Sequence, residues 1–296
     1  MEQRRNILKG LIGGATLWAV AGAPVWARAR FQSPRIVVET RGSGPDLILI
    51  PGLASTSAVW TRTAARLPDR RLHLVSVRGF GDLAAGANGD GAIMGAVASE
   101  VRRYIAEAGL AAPALIGHSM GGQIALRAAA DAPDRIGRLM TVDASPFFPA
   151  LISPGATVGD VEPIAQVAYQ AIQILGDEGL RARGRALGLE LGGAADAVFG
   201  SMGWQGGDRR VLAQALYEVM TVDLRHRLPD ITAPVTVVYG WSPDEASPRS
   251  RTDSLFRGAY ASLPRPATFE RIEGAEHMVM IDQPARFLAA VERFLA

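Results

Sequence analysis

The residues most able to do chemistry lie in Gly117-His118-Ser119-Met120-Gly121-Gly122. An apolar run, Ala114 to Ile116, precedes them and reads as a buried strand, and Gln123 to Ala130 reads as a helix. Strand, sharp glycine turn and helix together lift a serine hydroxyl clear of a sheet and present it as a nucleophile. The head of the helix also favours an anion forming beside it. A hydroxyl attacks only when a base takes its proton, and four histidines are available. His73 begins a strand, the wrong end for chemistry at strand carboxyl ends. His118 adjoins Ser119 and cannot fold back onto it. His226 belongs to a surface-like helical stretch. His277, in Gly274-Ala275-Glu276-His277, follows the last strand, from which a loop can reach Ser119. Elimination and position agree on His277.

A carboxylate is needed to fix the tautomer of the base and to stabilise its imidazolium. The order Ser, acid, His leaves two loops that end strands. Asp244 follows the strand Val235–Tyr239 through Gly240 and a short loop, and it is favoured; Asp143, which ends the strand after the serine, is the alternative. An oxyanion would need two donors, for which the backbone N–H groups of Met120 and Leu53 are expected.

The elements that must position these residues alternate. Strands are expected at Arg35–Thr40, Leu47–Ile50, Leu72–Val77, Ala114–Ile116, Arg138–Val142, Val235–Tyr239 and Thr268–Ile272. Helices are expected near 57–67, 92–108, 123–130, 250–263 and 283–295. Short glycine and proline connections between them point to an α/β fold, a mostly parallel sheet with helices on both faces. From Ala144 to about Pro229 the alternation stops and only helices are expected, near 162–175, 179–191 and 209–224. Residues 30–143 and 230–296 thus form a core, and 144–229 a helical cap over the carboxyl ends of the strands, where ligands bind in such sheets. Phe147, Phe148, Phe199, Met202, Trp204 and Met220 are candidates to line an apolar pocket there.

In this setting the chain resembles the α/β-hydrolase superfamily over about residues 35 to 296. The resemblance rests on Ile50-Pro51-Gly52-Leu53, Val77-Arg78-Gly79-Phe80-Gly81, the Gly117–Gly122 turn, Tyr239-Gly240 with Asp244, and Gly274-Ala275-Glu276-His277. It implies a serine nucleophile, a histidine base, an acid, two oxyanion amides and no cofactor or metal. Two departures stand out: Pro51 occupies a place where histidine is common, and the acid falls one residue later after Gly240 than is usual. The expected activity is hydrolysis of a small carboxylic ester, thioester or lactone with an apolar acyl or aryl group. Perhydrolysis, amide cleavage and carbon–carbon bond hydrolysis use the same triad. A reading of another class is a non-catalytic ligand-binding protein, against which the intact Ser119/His277 pair speaks.

The 296 residues are 48% hydrophobic and 20% charged, enough for a sizeable core, and contain no cysteine. Disulfides and thiolate chemistry are therefore excluded. Residues 1–29 read as an export signal: Arg4-Arg5-Asn6-Ile7-Leu8-Lys9, a weakly apolar run from Leu11 to Ala23, then small residues. The paired arginines resemble a twin-arginine signal, which implies export machinery as a partner and a periplasmic or extracellular location. Cleavage sites are available after Ala23, Ala27 or Ala29. The formal charge of +2 falls to −1 without this segment, which carries Arg4, Arg5, Lys9 and Arg28 against Glu2. No basic surface is left to suggest a nucleic-acid partner.

Overall fold

The computed structural model describes residues 31–186, 205–243 and 248–296. Seven strands run β1 (Ile36–Arg41), β2 (Asp46–Ile50), β3 (Arg71–Val77), β4 (Ala114–His118), β5 (Arg138–Val142), β6 (Val235–Trp241) and β7 (Thr268–Glu273). They form one sheet in the order β1-β3-β2-β4-β5-β6-β7. Only β1 is antiparallel to its neighbour, β3; every other pairing is parallel. The sheet is therefore mostly parallel, as expected, with the antiparallel strand confined to the edge.

Among the described residues the helices are α1 (Thr61–Ala64), α2 (Met94–Glu107), α3 (Met120–Asp131), α4 (Val158–Ala186), α5 (Arg209–Thr221), α6 (Arg249–Ala259), α7 (Val279–Asp282) and α8 (Pro284–Leu295). The helix expected at 57–67 is a 3-10 turn, Ser57–Trp60, followed by the single turn of α1. Pro68 closes that stretch, and a turn with the Thr56 hydroxyl as its cap is all the segment supports. Between β5 and β6 the described residues form helices and 3-10 turns, with one isolated antiparallel bridge from Gly207 to Phe80, and α4 is interrupted at Gly176 (φ 64°, ψ 175°). Part of the helix expected at 179–191 lies outside the described residues.

Alternate residues of each strand point to opposite faces, and both faces are covered. Ile48, Ile50, Val75, Val77, Leu115 and Val237 pack on the α2/α3 side. Leu47, Leu49, Leu74, Ile116, Met140 and Val238 pack against Trp60, Phe287 and Val291 on the other. Phe287 is fully buried and stacks on Trp60 at 6.2 Å; burial of one such ring stabilises the fold by about 1.5–3 kcal/mol.

The insertion is tied down by polar bonds as well as by packing. Glu218 on α5, 6% exposed, accepts the N–H groups of Ile93 and Met94 at 2.7 Å each, satisfying two orphan amides at the start of α2. Gln205 N–H donates to Ala54 O at 2.7 Å, and its side-chain oxygen accepts from Thr56. Gly81 N–H donates to Gly206 O, and Asp208 N–H to Gly79 O. The turns after β2 and β3 are thereby fastened to the strand-end side of the insertion.

Candidate active site

Ser119 follows β4 and heads α3. Its φ of 52° and ψ of −122° lie outside the ordinary regions for a residue with a Cβ. The turn is possible because a side chain at Gly121 would overlap the carbonyls of Ile50 and Pro51, so nothing larger than glycine lets α3 approach β2 so closely. Ladder geometry carries one residue past each strand: Ser119 N–H donates to Val142 O at 2.9 Å, and Asp143 N–H to Val238 O at 2.8 Å. Among the described residues four non-glycines have positive φ. Three of them, Ala54, Ser119 and Asp143, stand just beyond the carboxyl ends of β2, β4 and β5. Backbone strain is concentrated where these three strands end.

His277 lies in the loop after β7, and its Nδ1 is 2.7 Å from Asp143 Oδ2. The other oxygen of Asp143 accepts the N–H of Gly240 at 3.2 Å. Asp143 is thus the carboxylate that meets the histidine. Asp244, favoured from the sequence, lies outside the described residues. The count from Gly240 pointed to a later residue, yet Gly240 turns its own amide onto Asp143. Among the described residues Nε2 of His277 has no hydrogen-bond partner, and His277, Asp143 and Ser119 all line one cavity.

That cavity measures about 670 Å³. Ser119, Leu53 and His277 line it. Its walls are apolar, with Phe148, Leu151, Ile164, Leu216, Met220 and Phe256 prominent. Of the pocket candidates from the sequence, Phe148 and Met220 line it. Phe147 instead is fully buried beside Ala150 and Ala156, with the Arg225 guanidinium 4.6 Å from its ring. Phe199, Met202 and Trp204 lie outside the described residues.

The N–H of Met120, first in α3, has no intrahelical acceptor, and neither it nor the N–H of Leu53 has a backbone acceptor among the described residues. Both residues are buried, and Leu53 lines the cavity. Two such amides beside Ser119 could stabilise an oxyanion.

Supporting contacts escaped the sequence reading. The hydroxyl of Tyr260, buried, donates to Thr141 Oγ1 or Ala144 O, each at 2.9 Å, bracing the strand end that carries Asp143; burial pushes its phenol up. Glu276 N–H donates to Asp282 at 3.0 Å, and Gln283 Nε2 to Gly274 O at 2.9 Å, which pins the His277 loop. Partial burial pushes the Asp282 carboxyl up, opposed by that amide bond and by His277. His118, completely buried, has its basicity driven well down by burial and then by the neighbouring His277. His226 is exposed in the 3-10 turn Arg225–Asp230 and does not line the cavity. Among the described residues no three His, Asp or Glu side chains are grouped to hold a metal ion.

A family model for the alpha/beta hydrolase family matches residues 47–290. The chain belongs to the α/β-hydrolase family. A pimeloyl-acyl-carrier-protein methyl ester esterase of Aeromonas salmonicida is 30% identical over 276 residues, covering 88% of this chain and 99% of that protein. The corresponding esterase of Serratia marcescens is 29% identical, covering 87% and 97%. Among solved structures, a thermophilic esterase of Thermogutta terrifontis superposes with a TM-score of 0.66 at 20% identity, covering 88% of this chain and 92% of that one. An enol-lactonase of Burkholderia xenovorans gives 0.63 at 20% identity, covering 88% and 96%. As an α/β-hydrolase, the chain carries its serine turn, histidine loop and carboxylate at the carboxyl ends of β4, β7 and β5.

Proposed function

We propose that this α/β-hydrolase is a serine hydrolase that cleaves a carboxylic ester of an apolar acyl or aryl group. The observation that carries the reading is the Asp143–His277 pair at 2.7 Å, sharing one apolar cavity with Ser119. His277 Nε2 takes the proton of Ser119 as its Oγ attacks the acyl carbon, while Asp143 holds the other nitrogen and stabilises the imidazolium. The N–H groups of Leu53 and Met120 receive the developing oxyanion. The imidazolium then protonates the leaving alcohol, and water attacks the acyl-enzyme with His277 again as base. Ester hydrolysis by the Aeromonas and Serratia relatives supports this reaction class. The helices between β5 and β6 act as a cap that screens the acyl-enzyme from bulk water, which their share in the cavity wall supports.

The test is turnover of p-nitrophenyl esters together with fluorophosphonate labelling. Ser119→Ala is expected to abolish labelling and nearly all turnover. Activity above about a hundredth of wild type would overturn the serine mechanism.

Export rests on the leader alone, which lies outside the described residues. The paired arginines and weak apolar run support twin-arginine transport of the folded enzyme to the periplasm. Arg4→Lys with Arg5→Lys is expected to leave a full-length cytoplasmic precursor; normal processing of that variant would refute the route.

A further inference from the structure

His118 precedes the nucleophile and takes no part in the proton transfers above, yet its ring touches three parts of the site. Its Nε2 donates to the backbone carbonyl of His277 at 2.9 Å. The two imidazole rings stand 4.6 Å apart, tilted by 51°. A Cβ added at Gly52 would lie 2.9 Å from His118 Nδ1 and 3.1 Å from Ser119 Cβ, so the ring also lies against the turn that presents the Leu53 amide. The ring is 0% exposed, and its Nδ1 has no hydrogen-bond partner. We propose that His118 is a positioning residue: its Nε2–H, held against the carbonyl of His277, fixes where the base stands relative to Ser119. The proposal rests on the serine-hydrolase reading above.

The chemistry of the contact sets the tautomer. A carbonyl only accepts, so the proton sits on Nε2 and, in the neutral ring, Nδ1 is bare. Protonating Nδ1 would bury a second N–H with nothing to donate to and place a cation beside the imidazolium that forms on His277. Burial already opposes that state. His118 therefore stays a neutral donor through the reaction and does not compete with the imidazolium of His277. Asp282 and Gln283 hold the loop at Gly274 and Glu276, whereas the bond at residue 277 itself comes from His118. A base displaced by about 1 Å costs on the order of a hundredfold in rate, so one backbone bond at this point carries weight out of proportion to its stability.

A pair of near-isosteres isolates the donor. The amide nitrogen of glutamine occupies roughly the place of Nε2, while that of asparagine occupies the place of Nδ1, which faces Gly52. His118→Gln is expected to keep kcat within about threefold of wild type. His118→Asn and His118→Leu are expected to lose about tenfold to a hundredfold in kcat, with KM moving less than about twofold. Melting temperatures are measured on all three. If leucine does not fold, the contrast between glutamine and asparagine decides. A folded His118→Gln as impaired as His118→Asn, or a folded His118→Leu as active as wild type, would overturn the proposal. Ser119→Ala is run alongside: high residual turnover there would sink the serine reading, while its expected inactivity with unaffected His118 variants would sink only the positioning role.

Discussion

Among the described residues two histidine–aspartate pairs stand at opposite ends of the parallel strands. His277 and Asp143 meet at 2.7 Å beyond the carboxyl ends; His73 and Asp46 meet at 2.8 Å at the amino ends of β3 and β2. In distance they are nearly the same, and they differ in what is left over. His73 spends both nitrogens, since its Nδ1 is 2.6 Å from the Tyr104 hydroxyl, and only 2% of the residue is exposed. Asp46 is claimed a second time by Arg71, whose side-chain bonds hold the Asp46 carboxyl below its usual range. His277 keeps Nε2 without a partner and opens into the cavity beside Ser119. In the proposed mechanism the His277–Asp143 pair works through its unspent nitrogen and its access, whereas the His73–Asp46 pair is a buried polar clasp.

The comparison can be broken most forcefully at the histidines. His277→Ala is expected to lower turnover about ten-thousandfold with the fold intact, while His73→Gln stays within about threefold of wild type and loses melting temperature. Ester kinetics and thermal melts on both variants decide; a large kinetic loss at His73 would erase the distinction. Next come the carboxylates. Asp143→Asn is expected to lose at least about a hundredfold in turnover, and Asp46→Asn less than about threefold. Asp244→Asn is the sharpest control, for a greater loss there than at Asp143 would move the orienting role to Asp244.

The third prediction concerns acid. Burial lowers the basicity of His73 and of His118 in the folded protein, so the unfolded chain binds protons first as pH falls. Stability is full above the unfolded value of about 6.5 and declines below it until the folded groups also titrate. The depressed Asp46 adds stability above about pH 4 that is lost on further acidification. Melting temperature should therefore hold level down to about pH 6.5 and fall steadily from there to about 5, less steeply in His73→Gln; an equal slope in that variant would assign the acid response elsewhere. The smallest effect is expected at Thr40, whose hydroxyl lies 3.3 Å from that of Tyr104. Thr40→Val should cost less than about 1 kcal/mol in denaturant melts and leave ester turnover unchanged.

Much of this arrangement could be read from residue order. Apolar runs such as Leu47–Ile50 and Arg138–Val142 predict the strands to within a residue or so, because burial on both faces leaves no polar alternation to blur them. The reversed direction of β1 was not legible, since alternation tells which face a side chain takes and nothing about which way the chain runs. That Ser119 and His277 stand at strand carboxyl ends around one cavity follows from local chemistry and elimination. The carboxylate is harder: Asp143 is 134 residues from His277 in sequence, and its contact arises only when the loops after β5 and β7 close over Gly240. Counting along the chain cannot measure that approach. The bond from His118 to the His277 carbonyl has no sequence signature either, because the acceptor is backbone.

The left-handed backbone at Ser119 and Asp143 has a consequence for how such a chain ages under selection. Each residue sits in a conformation that costs a Cβ-bearing side chain on the order of 1–3 kcal/mol, and that glycine adopts freely. Random change under pressure for heat endurance alone would carry both positions toward glycine, yielding a sturdier protein with no reaction left in it. On the proposed mechanism, a need for turnover keeps a hydroxyl and a carboxylate there. Ala54 bears the same kind of backbone, and its methyl group has no part in the proposed chemistry. Like Ala112, it is a position where endurance could be raised while Ser119 and Asp143 stay in place.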